Sequence, residues 1–280
     1  MAGVSVLGPK PLPGSPAEKA GLRTGDLILK VNDRSVQGLD LAQVIMLIRG
    51  PADTEVRLLI QRSDGAQAEL PVRRTVITVP TTETRVLEDG IAYLALAECN
   101  ARASREVLAG LQQLLANHPP ALILDLRGNP GGYLYVAKEV ASQFLAQGLV
   151  LIERGSDGTE TRHQVRPGGV ATDIPLVVLV DAGTASAAEI IAGAIQDQER
   201  GILVGEQTFG KGSVQTTERL SDGSALQITI RRWYTPNDRQ IQGEGLTPDV
   251  VAERTEDDIL AQRDPQLDCA VAYLRLQTSR

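Results

Sequence analysis

Beyond about residue 75, apolar stretches of strand length alternate with stretches of helical period, and three of the strands run straight into glycine-bearing loops. Residues 121–126 lead into Arg127-Gly128-Asn129-Pro130-Gly131-Gly132. Residues 176–180 lead into Asp181-Ala182-Gly183-Thr184, and residues 202–204 into Gly205-Glu206. Parallel strands need long crossovers, usually helices, so this alternation predicts an α/β domain with a largely parallel sheet. Ligands of such sheets gather at the carboxyl ends of the strands, which makes these loops the first place to look for chemistry.

The residues before 75 follow a different pattern. A short strand over 4–7 precedes a Pro/Gly-rich turn and a helical turn over 17–20, closed by Gly21. Residues 26–31 predict a second strand, and Asp40 is placed to cap a helix carrying Leu41, Val44, Ile45 and Ile48 at helical spacing, with Gly50-Pro51 ending it. Val56, Leu58 and Ile60 then alternate with polar residues, and Ser63-Asp64-Gly65 turns the chain into a strand over 67–72. At 280 residues the chain suits two domains, a small α/β module over 1–74 and a larger α/β domain over 75–280.

A net charge of -7 and a pI near 5.0 argue against sequence-independent nucleic-acid binding, which needs clustered Lys and Arg along the phosphates. Cys99 and Cys269 form neither a disulfide framework nor a zinc motif, and no metal or cofactor is expected. The sequence contains no apolar run of membrane-spanning length and no secretory-signal pattern.

Gly183-Thr184-Ala185-Ser186-Ala187-Ala188-Glu189 precedes an apolar, alanine-rich helical stretch, so Ser186 sits near a helix start. Serine there is commonly no more than an N-cap. The same position also suits a nucleophile, because the free amide of Ala187 could stabilise an oxyanion as the serine attacks a carbonyl. His118 and His163 are poor candidates for its base, since both read as surface loop residues. Lys211, between Gly210 and Gly212 and close to Phe209 and Val214, could serve if burial favours its neutral amine. Its competing reading is an ordinary solvated loop lysine.

These segments, with Thr208-Phe209-Gly210-Lys211-Gly212, Leu124-Asp125-Leu126-Arg127-Gly128-Asn129-Pro130-Gly131-Gly132, Tyr234-Thr235-Pro236 and Ile241-Gln242-Gly243, resemble the PDZ-containing carboxyl-terminal processing proteases. The resemblance runs from Ser15 to Leu267 and implies a ClpP/crotonase-like spiral protease core behind a small PDZ-like domain. It implies Ser186 as nucleophile and Lys211 as general base 211 − 186 = 25 residues later, with Gln215 orienting the lysine. It also implies an oxyanion hole built from Ala187 and the Gly131-Gly132 loop, with the choice between the two glycines open. Glu189 either supports this site or only favours the helix start. Arg49, at the end of the predicted helix of the front module, either couples that module to catalysis or is a solvated helix-end arginine. Ala188 and Asp181-Ala182 depart from residues common in the family, without removing a catalytic atom.

The expected partners are proteins or peptides with exposed C-terminal tails, and a homo-oligomer is compatible with the resemblance. The resemblance implies a periplasmic or otherwise extracytoplasmic location for the full-length protein. The resemblance further places a strand and a carboxylate-binding loop before Val4, for which the sequence starting at Met1 has no room, so the PDZ-like module is expected to be N-terminally truncated. A catalytically silent peptide-binding scaffold of the same fold is the alternative, and an acyl-CoA enzyme on the same kind of core is a third reading with no need for a paired serine and lysine.

Overall fold

A computed structural model describes residues 4–5, 11–12, 14–77 and 79–278 of the chain. They form two compact units that divide at Val79 and Pro80. The strand and loop expected before Val4, and the end of the strand predicted over 4–7, lie outside the described residues.

The N-terminal unit contains β1 (Val4–Ser5), α1 (Pro16–Lys19), β2 (Leu27–Val31), β3 (Arg34–Ser35), α2 (Leu41–Ile48), β4 (Glu55–Gln61) and β5 (Gln67–Arg73). The sheet is antiparallel in the order β1-β2-β4-β5, with β3 paired to β2. Asp40 and Gln43 cap α2 reciprocally, each side chain accepting from the other residue's backbone N–H. Val44 is the buried residue of that helix and packs with Ile28, Val31, Val56, Leu58 and Ile60, while Leu41 and Met46 face solvent.

The C-terminal unit contains β6 (Thr82–Val86), β7 (Ala92–Leu96), α3 (Ala103–Leu115), β8 (Leu122–Asp125), α4 (Leu134–Phe144), β9 (Leu149–Gly155) and β10 (Glu160–Gln164). It continues with β11 (Leu176–Val180), α5 (Ala187–Asp197), β12 (Ile202–Gly205), β13 (Ser213–Arg219), β14 (Ala225–Tyr234), β15 (Val250–Val251), α6 (Glu256–Leu260) and α7 (Pro265–Thr278). Its main sheet runs β15-β12-β11-β8-β7-β6, parallel except at the β6–β7 edge. Both faces are covered, so the central strands are unbroken apolar runs. Alternate residues point to opposite sides. Leu122, Leu124, Val178 and Val180 pack with residues of α3, α4 and α5, whereas Ile123, Val177 and Leu179 pack with Ala270 and Leu274 of α7. A second, antiparallel sheet has the order β10-β9-β14-β13. His163, expected on a surface loop, lies in β10 with only 16% of its side chain exposed, hydrogen-bonded to Glu153 of β9. His118 is exposed, with φ 48° just past α3.

Arg127 ties the loop after β8 to α7. Its guanidinium donates to both oxygens of Asp125, both oxygens of Asp264 and the Gln266 side-chain carbonyl at 2.6–3.1 Å. Burial alone would push the Asp264 carboxyl up, but the hydrogen bonds from Arg127 and from the Leu267 N–H outweigh it and hold the group below its ordinary value. A carboxyl lowered on folding contributes stability above its unfolded pKa of about 4, and that contribution is lost as pH falls through the lower folded value. Arg127→Met is therefore expected to cost about 2 kcal/mol at pH 7. The gap between variant and parent should narrow toward pH 3. Thermal unfolding at both pH values checks this, and a gap that does not change with pH would rule out the linkage.

Candidate active site

The loop after β8 folds around Asn129, which is fully buried. Its side-chain amide donates to Leu96 O at 2.8 Å, its Oδ1 accepts the Gly131 N–H at 2.8 Å, and its backbone carbonyl accepts the Ala185 N–H at 2.9 Å. One side chain thus anchors the loop and docks it onto the segment carrying Ser186. The fit requires glycine. At Gly131, φ is +97° and a Cβ would lie 2.8 Å from both Ala187 N and Ser186 Cβ; at Gly132, φ is +144° and a Cβ would collide with the Cys99 carbonyl. Gly131 has its N–H committed to Asn129, while among the described residues the Gly132 and Ala187 N–H groups have no hydrogen-bond partner. Cys99 is buried beneath this loop, and that burial pushes its thiol up to about 12, so it is an inert packing residue.

Ser186 does precede a helix, at the N-cap position of α5, but not with the extended backbone usual for a cap. Its φ is 55° and its ψ −116°, a region that costs a non-glycine residue strain. Strain of this kind persists only where the surroundings hold it, and here they do. The Ser186 N–H donates to Glu189 Oε2 at 2.7 Å, and Ala185 is held by Asn129.

Glu189 is fully buried. Besides Ser186 N, its carboxylate accepts from Thr208 Oγ1 at 2.6 Å, Gly210 N at 2.7 Å and Lys211 N at 3.0 Å. It therefore pins the serine turn and the lysine loop to one point. The lysine loop is fixed from its other side as well. The Lys211 carbonyl accepts the Trp233 indole N–H at 3.1 Å, and the Gly212 N–H donates to the Gln242 side chain at 3.0 Å. Between these anchors lies a cavity of about 370 Å³ lined by Ser186, Ala187, Lys211, Gln215 and Gly132, with Leu134, Ile190, Val214 and Trp233 as its apolar wall. Lys211 is the one charged residue in that lining.

Six of the eight residues singled out from the sequence meet at this point. Ser186, Lys211, Gln215, Ala187 and Gly132 line the cavity, and Glu189 lies beneath it. Gly131 packs against Ser186 without lining the cavity. Arg49 belongs to the N-terminal unit, where it is the exposed C-cap of α2. Sequence reasoning missed Asn129 and Thr208; the placement of Asn129 inside the glycine loop was the available signal for the first. A larger cavity of about 660 Å³ opens among Tyr93, Asp125, Arg127, Asp181 and Glu206. Tyr93 and Arg127 are tied there to Asp125, and Asp181 to the Gly128 and Gly183 N–H groups.

A strained serine at a helix start, two unengaged amides beside it and a lysine lining the same small cavity are the parts that nucleophilic attack on a carbonyl requires. Residues 90–252 match peptidase family S41 and residues 10–62 match the PDZ domain family. The chain is 38% identical over 250 residues to a carboxyl-terminal-processing protease of Synechocystis, covering 87% of this chain and 58% of that protein. It is 36% identical over 245 residues to the carboxy-terminal processing protease CtpA of Bacillus subtilis, covering 87% and 52%. Among solved structures it resembles the photosystem II D1 C-terminal processing protease, with a TM-score of 0.59 and 33% identity over 87% of this chain and 67% of that one. The chain thus spans little more than half the length of these curated relatives. It belongs to peptidase family S41, a family of serine proteases, with the mixed α/β core of that family and a PDZ domain in front.

Proposed function

We propose that the chain is a serine endopeptidase that cleaves polypeptides near their C-termini with a Ser186/Lys211 dyad. The carrying observation is that Ser186, Lys211 and Gln215, far apart in sequence, line one small cavity together with Gly132 and Ala187. In this scheme the uncharged amine of Lys211 accepts the Ser186 hydroxyl proton as Oγ attacks the scissile carbonyl. The developing oxyanion receives the N–H groups of Ala187 and Gly132. Gly132 is preferred to Gly131 because the Gly131 N–H is already used by Asn129.

As the tetrahedral adduct collapses, the C–N bond breaks and the leaving amine takes the proton from Lys211. Water, deprotonated by the same lysine, then attacks the acyl carbonyl, the bond from that carbon to Ser186 Oγ breaks, and Oγ takes the proton back from Lys211. The Gln215 side-chain amide orients the lysine amine by hydrogen bonding. Glu189 is a positioning residue that holds both loops. Labelling by a serine-reactive acylating probe tests the scheme: the parent chain should be modified and Ser186→Ala should not, whereas an unlabelled parent would favour a silent scaffold.

The PDZ domain is assigned to the substrate tail, which it would take as an added strand beside a helix, and the compartment, on the family resemblance, to the extracytoplasmic side. Arg49 is assigned to coupling between that domain and cleavage. Unchanged cleavage rate and unchanged tail dependence in Arg49→Ala would remove it from this role.

A further inference from the structure

Aromatic side chains make up only 3% of this chain, and most of those described are buried or half-buried. The exposed ones are Tyr133, Tyr135 and Phe209, at 55%, 46% and 64%. All three belong to the segments that carry the site. Tyr133 directly follows Gly132 and lines the cavity, and its ring stacks on that of Tyr135 with centroids 5.4 Å apart and planes 26° apart. Phe209 lies two residues before Lys211, and its N–H donates to the Thr184 carbonyl at 3.0 Å, two residues before Ser186.

Nothing in the folding of these segments requires aromatic rings. The Tyr133 contact to the loop is its backbone N–H on Cys99 O at 2.9 Å, and Phe209 is held by its backbone in the same way. Each backbone is therefore fixed while the residue itself stays more than half exposed and open to a ligand. Tyrosine and phenylalanine have few rotatable bonds, so rings held like this bind apolar groups at low entropic cost. The cavity beyond them has an apolar wall of Leu134, Ile190, Val214 and Trp233, and no acidic residue lines it to receive a basic side chain.

We infer that Tyr133, Tyr135 and Phe209 form an aromatic rim that binds apolar side chains of an extended substrate on either side of the bond to be cut. The inference rests on the hydrolytic reading of this cavity and names its substrate class: unfolded segments with bulky apolar residues flanking the cleavage point.

The test uses two fluorescent peptides that differ only in carrying Leu and Phe, or Ser, around the cleavage point. Their binding is measured by anisotropy on the Ser186→Ala chain with and without Tyr135→Ala or Phe209→Ala. Each rim variant should raise Kd for the apolar peptide roughly three- to tenfold and leave the serine peptide unchanged. Tyr135→Phe, which keeps the ring, should bind like the parent. In the chain with Ser186 intact, the loss should appear in KM more than in kcat. Equal weakening of both peptides, no weakening of either, or an apolar peptide that binds the parent no better than the serine one would each overturn the rim. The binding comparison does not require turnover, so a chain that cuts nothing would refute the hydrolytic reading while the rim was still decided.

Discussion

Lys211→Ala and Lys211→Arg are each expected to lower hydrolysis of an unfolded protein such as casein by at least about 10³-fold, as is Ser186→Ala. The arginine variant is the sharper of the two lysine changes. It keeps the positive charge and much of the length but cannot give up its proton near neutral pH, so it fails if the lysine is a base and survives if the lysine only contributes charge. In the proposed dyad, nucleophile and base act on the same proton. The double variant Ser186→Ala/Lys211→Ala should accordingly be no slower than either single one, because removing half of a dyad already removes its function. Casein cleavage by Lys211→Arg at close to the parent rate would exclude general-base catalysis by this residue. Activity is also expected to survive chelators, and its loss in EDTA would contradict the scheme.

Much of the fold could be read before any coordinates. The run Leu-Val-Val-Leu-Val at 176–180 admits few structures other than a strand covered on both faces, and Asp40, expected to cap the helix carrying Leu41, Val44, Ile45 and Ile48, is the N-cap of α2. Local signals end where a side chain answers to partners far along the chain. Ser186 has the sequence surroundings of an ordinary cap, and its positive φ follows from contacts with Asn129 and Glu189 that no window around 186 contains.

The choice between Gly131 and Gly132 was open in the sequence for the same reason. It turns on which N–H the Asn129 side chain occupies, a matter of loop conformation rather than composition. His163 reads as a loop residue because its stretch, Thr161-Arg162-His163-Gln164, is polar throughout. Polarity marks a strand at the edge of a sheet as readily as a loop, and here β10 ends the second sheet, with the imidazole resting on Glu153.

Glu189→Ala is expected to cost roughly 3–5 kcal/mol of stability and to lower activity of the molecules that remain folded. The carboxylate is the shared acceptor for three backbone N–H groups and one hydroxyl, all in a buried site. Its removal strands four donors where water has little access. Three of the four belong to the turn at Ser186 and the loop at Gly210-Lys211, so the loss falls on the relative placement of the proposed nucleophile and base. Positioning errors of about 1 Å are worth on the order of 10²-fold in rate.

Glu189→Gln separates stability from placement. Its one carbonyl oxygen can still accept from Thr208 Oγ1 and Gly210 N, but its NH₂ then confronts the Ser186 and Lys211 N–H groups, donor against donor. The glutamine variant should therefore recover part of the thermal midpoint lost in the alanine variant while remaining well below the parent in kcat. Wild-type kcat in a folded Glu189→Gln chain would show that the carboxylate serves the stability of α5 alone. Full stability in Glu189→Ala would mean that the four donors find other partners, and the link between the two loops would have to be sought elsewhere.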